Sequence, residues 1–313
     1  SHPSVGSIVA HQRAALSPTG LPRFAAIPSA KQLGNRVNFT RAMHLGSAHD
    51  AFQSGPVPQR ADQPYRLPAG LTLPQQIPLE RLQDRNALLK SIDRLQERRQ
   101  QMGRGATLSG YQHQALDLLL GRRGQQAFDI NQEPATIREM YGNSPMGQGT
   151  LLARRLVEAG VTYVLVNYSK NNSWDTHKNN FDRLKNELLP PMDQAASALL
   201  VDLEERGMLD DVLVLKMGEM GRTPKINRNR GRDHWTDVFS VMIAGGGLTR
   251  GQVLGSSSRM GDSPQTRPVH YNELLATMYH QLGIAPDLVI KDQENRPIRM
   301  IPEAEPVREL INT

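Results

Sequence analysis

Three short apolar runs, each bordered by residues that can bind metal ions, constrain the fold of this chain most strongly. The runs are residues 161–166 (VTYVLV), 212–217 (VLVLKM) and 238–244 (VFSVMIA). Runs of this length that are rich in β-branched residues and bounded by glycine or polar residues are typical of buried strands. A long helical pattern separates the first two runs, so the sequence predicts two parallel strands joined by a right-handed crossover.

The connecting helix is predicted from apolar residues that recur at steps of three and four, which places them on one helix face. These residues are Phe181, Leu184, Leu188, Met192, Ala195, Leu199 and Leu203. The adjacent Pro190 and Pro191 are expected to break or kink the helix, because proline lacks an N–H group and clashes with the preceding turn. Arg206-Gly207 is expected to end it.

Polar residues with metal-binding side chains follow or precede these runs. Asp175 and His177 come after the first run, Glu219 comes after the second, and Asp233 and His234 come before the third. In open parallel sheets, ligands bind beyond the carboxyl ends of the strands. Carboxylate oxygens and imidazole nitrogens suit divalent cations. The five residues together therefore predict a metal or acid/base site.

Each part of this pattern also has a purely structural interpretation. Asp175 is a preferred helix N-cap residue, with His177 packed or solvated beside it. Glu219 has the option of a structural ion pair with Arg222. Asp233 is equally suited to a turn, next to a surface His234. The sequence leaves these alternatives open.

The segment between Glu219 and His234 is strongly basic and suggests what the site binds. Its cations are Arg222, Lys225, Arg228, Arg230 and Arg232. Arginine and lysine neutralise phosphate- or sulfate-type oxygens, so Arg222 and Lys225 are candidate binders of an anionic ester. The alternative is a solvated run of charges balanced by nearby acids.

Composition narrows the remaining classes of function. The formal net charge is +6, but the cations are scattered and aromatic residues are few, which argues against nucleic-acid binding. The chain has no cysteine, so disulfides and thiolate metal sites are excluded. No apolar stretch is long enough to span a bilayer. Neither a nucleophile elbow nor a phosphate-loop signature is present.

Outside the central block, the sequence predicts mainly helices and loops. Residues 60–130 are interpreted as a helical lobe, with helices over about 78–102 and 111–120. Further helices are predicted over 134–141, 147–159 and 271–283, and a short strand at 24–27. Residues 245–247 are three glycines, which fit either a strand-to-turn hinge or a close approach to a ligand. Residues 251–268 are predicted to be a loop, and 284–313 a proline-containing tail.

Several longer motifs resemble the bacterial domain of unknown function 1501 family. They are WDTH at 174–177, MGEMGRTPKI at 217–226 and GRDHW at 231–235, together with HPSVGS at 2–7 and LARRLVEAG at 152–160. The resemblance covers nearly the whole chain. It implies a fold similar to the alkaline phosphatase and sulfatase superfamily, which is an α/β three-layer sandwich with a mostly parallel sheet and a helical insertion.

By this resemblance the chain is a metal-dependent hydrolase of phosphate or sulfate esters, exported to the periplasm or secreted. Asp175, His177, Glu219, Asp233 and His234 correspond to metal ligands for Zn, Ca, Mg or Mn. Family members usually carry more sequence ahead of the HPSVGS segment, so the chain is expected to be a single domain that lacks its N-terminal part. The nucleophile is expected in that part. A non-catalytic protein that binds a sulfated or phosphorylated polymer, or another protein, is the alternative.

Overall fold

We describe the fold from a computed structural model. It describes residues 2–13, 21–28, 38–68, 122–167, 173–292, 294–301 and 304–311, with positions 71, 81 and 84 between them. Apart from positions 81 and 84, the predicted helices at 78–102 and 111–120 lie outside the described residues. The chain divides into two compact units, residues 1–170 and 171–313. The single-domain interpretation stays a prediction.

The first unit is built on a small parallel sheet. Its strands are β1 (Phe24–Ile27), β2 (Phe52–Gln53) and β3 (Tyr163–Val166), in the order β2-β1-β3. The central strand β1 is buried along its whole length, as expected where a parallel sheet is covered on both faces. The predicted strands at 24–27 and 161–166 are thereby confirmed.

Four α-helices of the first unit have both ends among the described residues. They are α1 (Val5–Gln12), α2 (Arg122–Phe128), α3 (Ala135–Met140) and α4 (Pro145–Glu158). The α1 and α4 helices pack against the sheet. Ser4 caps α1 and Ser144 caps α4, each accepting a backbone N–H from three residues further on. Residues 54–68 contain no regular element.

A buried ionic network joins α4 to the segment before α3. The Arg154 side chain is fully buried, and its Nη2 lies 2.8 Å from Oε2 of Glu133, while its Nη1 lies 2.7 Å from Oε2 of Glu158. Arg155 also pairs with Glu133. Because both oxygens of Glu133 meet arginine, the buried charges are compensated.

The second unit begins with one long helical stretch that changes its winding. It consists of α5 (Asn180–Arg183), a π-helical turn (Leu184–Leu188) and α6 (Leu189–Glu205). The predicted interruption at Pro190-Pro191 takes the form of this π turn, which places the prolines in the first turn of α6, where N–H groups lack helical acceptors. The π turn also shifts the angular phase of the apolar residues. Ala195 and Leu203 are buried, whereas Phe181 is 51% exposed.

The sheets of the second unit are all two-stranded and antiparallel among the described residues. Their strands are β4 (Leu213–Lys216), β5 (Gly221–Arg222), β6 (His234–Trp235), β7 (Met242–Gly245), β8 (Ser256–Ser257), β9 (Pro264–Thr266), β10 (Val289–Lys291) and β11 (Pro297–Arg299). The pairs are β4-β7, β5-β6, β8-β9 and β10-β11. The β8-β9 hairpin lies where the sequence predicted a loop, and β10-β11 lies within the predicted tail.

The predicted parallel pairing of the runs at 161–166 and 212–217 is not formed among the described strands. The β3 strand pairs with β1, and β4 pairs antiparallel with β7, so that Leu213 lies opposite Gly245. A short continuous apolar run indicates a strand but carries no information on its partner or direction, which is why the pairing could not be predicted. Gly245 ends β7, and residues 246–247 form the turn that follows.

The last described α-helix, α7 (Tyr271–Gln281), begins at a capping box. His270 accepts the backbone N–H of Asn272, and the Glu273 carboxylate accepts the backbone N–H of His270. Gly283 follows the helix, as predicted. The described structure is therefore a mixed α/β protein with small sheets; the three-layer sandwich goes beyond what these sheets show. None of its described helices combines the length and apolar character needed to cross a bilayer.

Candidate metal centre

Three segments of the second unit bring the candidate ligands together. Asp175 and His177 lie in the loop before α5, and His234 begins β6. The β5 and β6 strands pair antiparallel, with Arg222 directly opposite His234. This short ladder places the arginine and the histidine as cross-strand neighbours.

Backbone hydrogen bonds join the loop of Asp175 and His177 to the segment before β6. The backbone N–H groups of Asn179 and Asn180 donate to the carbonyls of Asn229 and Arg230, at 3.1 and 2.9 Å. In the reverse direction, Arg232 N–H donates to the Thr176 carbonyl at 3.1 Å. We call this set of three bonds the backbone clasp. It fixes the distance between the two ligand-bearing segments.

Gly231 permits the closest approach within the clasp. A Cβ atom at this position would lie 2.0 Å from both the carbonyl carbon and the oxygen of His177. Real Cβ atoms do not come that close to backbone, so a side chain here would force the two segments apart.

The ligand atoms of Asp175, His177 and His234 converge. Oδ1 of Asp175 lies 3.0 Å from Nε2 of His177 and 2.9 Å from Nε2 of His234, and the two Nε2 atoms are 3.3 Å apart. A tetrahedral ion about 2.0–2.1 Å from its ligands separates them by about 3.3–3.4 Å. The observed triangle is therefore close to one face of such a coordination shell.

The two nitrogens of His177 face two different carboxylates. Its Nδ1 lies 2.7 Å from Oδ1 of Asp233, and its Nε2 lies 3.0 Å from Oδ1 of Asp175. In the tautomer that donates Nδ1–H to Asp233, the neutral ring has its lone pair on Nε2, where a cation in the triangle would accept it. The donor set and its geometry thus fit a divalent cation.

Asp233 was predicted as a metal ligand, and the structure places its carboxylate on the outer nitrogen of His177 instead. Such carboxylate–histidine contacts fix the ring orientation of metal-binding histidines. The hydrogen bonds from His177 and Asn227 hold the pKa of Asp233 below its usual range. Asp233 is therefore suited to orient His177.

Asn227 is a site residue that the sequence analysis missed. Its amide nitrogen donates to Oδ1 of Asp233 and to the carbonyl of His177, both at 3.1 Å. Its amide oxygen accepts the backbone N–H groups of Asn229 and Gly231 at 2.9 Å. Asparagine is common in turns, but this preference alone does not indicate that its side chain joins two segments.

Arg222 contacts the same carboxylate oxygen as the two histidines. Its Nη1 lies 2.6 Å from Oδ1 of Asp175. Burial raises the pKa of Asp175, but hydrogen bonds from His234 and Arg222 and the charge of Arg222 outweigh that and lower it overall. Asp175 is thus an ionised acceptor at neutral pH. The predicted alternative of a Glu219–Arg222 ion pair is replaced by this Asp175–Arg222 pair.

The other predicted site residues lie outside the converging triad. Glu219 is exposed in the connection between β4 and β5, and it does not belong to the group of ligand atoms that converge. Lys225 is exposed after β5, where its carbonyl accepts a hydrogen bond from Thr223. The helix-cap interpretation of Asp175 is wrong, because Asn179 occupies the N-cap position of α5.

The two tryptophans flank the site in sequence and take part in different contacts. The Trp174 carbonyl accepts a hydrogen bond from Arg222 at 3.4 Å. The Trp235 indole donates to the carbonyl of Asp262, in the turn of the β8-β9 hairpin, at 2.7 Å. Trp235 thereby links the strand of His234 to this hairpin.

Comparison with known proteins gives one family. A family model described as "Protein of unknown function (DUF1501)" matches residues 1–311. No curated protein and no solved structure matches the chain. The match agrees with the motif resemblance, and it attaches no reaction to the site.

Proposed function

The chain belongs to the DUF1501 family, and from the geometry of its site we propose that it is a metal-dependent hydrolase of phosphate or sulfate esters. The observation that carries this proposal is the convergence of Asp175, His177 and His234 within 3.3 Å of one another. Among Zn, Ca, Mg and Mn, two imidazoles and one carboxylate favour Zn, because the other three prefer oxygen ligands.

The roles of the residues follow from their contacts. Asp175, His177 and His234 hold the cation, and Asp233 orients His177 from behind. Once bound, a divalent cation lowers the pKa of coordinated water and neutralises the charge of an ester. Arg222 and Lys225 are proposed to bind the anionic group, since both are cations on the segment next to the triad.

The proposal extends to the fold and location that the motifs imply. An alkaline-phosphatase-like sandwich and export to the periplasm are supported by resemblance alone, which is an argument from fold to function. The small sheets described above are compatible with a larger α/β architecture and do not establish it.

Metal content tests the proposal directly. We expect elemental mass spectrometry to find a stoichiometric divalent metal in the purified protein and to find it lost in His234→Ala. His280→Ala is the matched control, because His280 is an exposed histidine on α7 outside the triad. Loaded protein should then hydrolyse an aryl phosphate or an aryl sulfate.

Two outcomes would sink the proposal. A protein without bound metal after incubation with Zn²⁺ or Mn²⁺ has no metallohydrolase site. If the His234→Ala variant keeps its metal, the metal is bound elsewhere, and the triad then has no role in the chemistry.

A further inference from the structure

One oxygen of Asp175 carries more contacts than it can keep once a cation binds. Oδ1 lies 2.6 Å from Nη1 of Arg222, 2.9 Å from Nε2 of His234 and 3.0 Å from Nε2 of His177. The two histidines can remain near this oxygen as fellow ligands of one ion. Arg222 cannot be a ligand, because a guanidinium has only N–H donors and no lone pair to offer.

We propose that Arg222 occupies the place of the cation on Asp175, that the divalent metal displaces it, and that the freed guanidinium then binds the anionic group of the ester. This inference rests on the proposed function and adds a coupling between its two ligands. Metal and anion should then bind with positive cooperativity.

The contacts of Arg222 show what it loses on displacement. Apart from the ion pair with Asp175, its side-chain hydrogen bonds to described residues go to the carbonyls of Arg232 and Trp174, at 3.5 and 3.4 Å. These distances are at the long limit for hydrogen bonds, so they hold the guanidinium weakly. Repulsion between a divalent cation and the guanidinium adds to the competition for the oxygen.

The backbone of Arg222 limits where the side chain goes. Arg222 lies on β5, paired directly opposite His234 on β6. A displaced side chain therefore rotates about a fixed Cα and stays within reach of the metal ligands. The planar guanidinium offers two parallel N–H donors, which match the oxygens of a phosphate or sulfate group.

The coupling is measurable without turnover. We would titrate Zn²⁺ into metal-free wild type and into Arg222→Gln by calorimetry. We would then titrate inorganic phosphate into each protein after loading with one equivalent of Zn²⁺ and removing the excess. Arg259→Gln is the charge-matched control, because Arg259 is an exposed arginine on the β8-β9 hairpin.

Displacement predicts opposite signs for the two affinities. Arg222→Gln should bind Zn²⁺ more tightly than wild type and bind phosphate more weakly in the loaded form. We expect each change to be at least about fivefold, the low end of usual coupling factors. Arg259→Gln should change neither affinity.

Other roles of Arg222 give other results. If Arg222 only positions Asp175, Arg222→Gln weakens Zn²⁺ binding, and the inference is overturned. Unchanged Zn²⁺ affinity, or unchanged phosphate affinity in the loaded form, overturns it as well. In these cases stoichiometric Zn²⁺ binding by wild type leaves the proposed function standing, whereas no Zn²⁺ binding removes both.

A second variant covers the case in which Arg222→Gln fails to fold. Arg222→Lys keeps the charge and loses the two-pronged donor geometry. It should bind Zn²⁺ like wild type and bind phosphate more weakly. Equal phosphate affinity in Arg222→Lys and wild type would refute the role of the guanidinium.

Discussion

The Glu133–Arg154 network of the first unit and the Asp175 triad of the second are both clusters of acids and bases, but they differ in burial and in how their partners are arranged. Glu133 and Arg154 are 7% and 0% exposed, and the charges compensate one another. His177 and His234 are 42% and 50% exposed, and their ligand atoms face one point together with an oxygen of Asp175.

The difference separates a structural cluster from a binding site. A buried network in which each charge has a partner gains nothing from a ligand and loses much when one member is removed. Removing one member of an exposed group costs little folding stability. When the ligand atoms of such a group converge, they can bind a cation. Burial, and the convergence of ligand atoms on one point, therefore distinguish the two clusters.

The largest effect is expected from removing one charge of the buried network. Glu133→Gln leaves the buried Arg154 without its main counter-charge and should lower the free energy of unfolding by about 3–5 kcal/mol. Urea unfolding measures this, and metal content should stay unchanged. Glu158→Gln is the control, because Glu158 is 42% exposed, so its carboxylate is already partly solvated and its loss should cost less than that of the buried Glu133. Equal losses of unfolding free energy in Glu133→Gln and Glu158→Gln would show that burial does not decide how much each acid contributes.

Gly231→Ala tests whether the site depends on the backbone clasp. The added methyl group must push His177 away from residue 231, and such overpacking should cost about 1–3 kcal/mol of unfolding free energy. Metal affinity should fall too, because His177 moves relative to His234. Gly218→Ala is the control, since its Cβ would meet its nearest neighbour at an ordinary 3.6 Å. If Gly231→Ala binds metal as tightly as wild type, the backbone clasp does not determine the geometry of the triad.

Asp233→Asn sharpens the comparison by altering the triad without touching its converging atoms. Loss of the charged acceptor behind a metal-binding histidine typically costs about 10–100-fold in metal affinity. Because Asp233 is exposed, the free energy of unfolding should stay close to that of the wild type. Calorimetric titration of Zn²⁺ measures the affinity, with Asp237→Asn as the control. A loss of stability without a loss of affinity would place Asp233 with the structural cluster.

The smallest effect is expected from a histidine pair in the first unit. The rings of His11 and His49 meet edge to face with centroids 4.9 Å apart. Burial is the main cause that lowers the pKa of each ring. The charge of His44 further lowers the pKa of His11. The charge of His11 further lowers the pKa of His49, while the charge of Asp50 partly raises it. A folded pKa below the unfolded value means that stability is complete above about pH 6.5 and falls as the pH drops toward the folded values. The free energy of unfolding should decrease from pH 7 to pH 5, and by less in His11→Gln than in wild type. An equal decrease in the two proteins would contradict the assignment of this pH dependence to the histidine pair.

Local features of the fold were predictable from the sequence. The strand at 24–27 and the interruption at Pro190-Pro191 each depend on a few neighbouring residues, so a short apolar run and two adjacent prolines were enough. Strand pairing was not predictable, because it depends on which distant run comes alongside. The antiparallel partner of β4, Met242–Gly245, illustrates this.

The site was predictable in its members and not in its arrangement. The positions of Asp175, His177 and His234 beside apolar runs indicated a metal site, and their ligand atoms do converge. The contact of Asp233 with the outer nitrogen of His177 depends on a ring orientation that spacing does not encode. Asn227 acts through hydrogen bonds to two segments, and an amide side chain in a basic turn gives no chemical signal of that role.

The backbone clasp has a consequence for how this protein tolerates mutation. Its three hydrogen bonds use only peptide groups of residues 176–180 and 229–232, so the side chains of Asn229 and Arg230 take no part in them. Position 231 accepts only glycine, whereas substitutions at 228 and 229 leave the clasp in place. A saturation library over 228–231 should therefore show glycine alone at 231, few β-branched residues at 230, where φ is 57°, and free variation at 228 and 229. The specificity of the site can then drift at those variable positions while the ligand geometry is inherited unchanged.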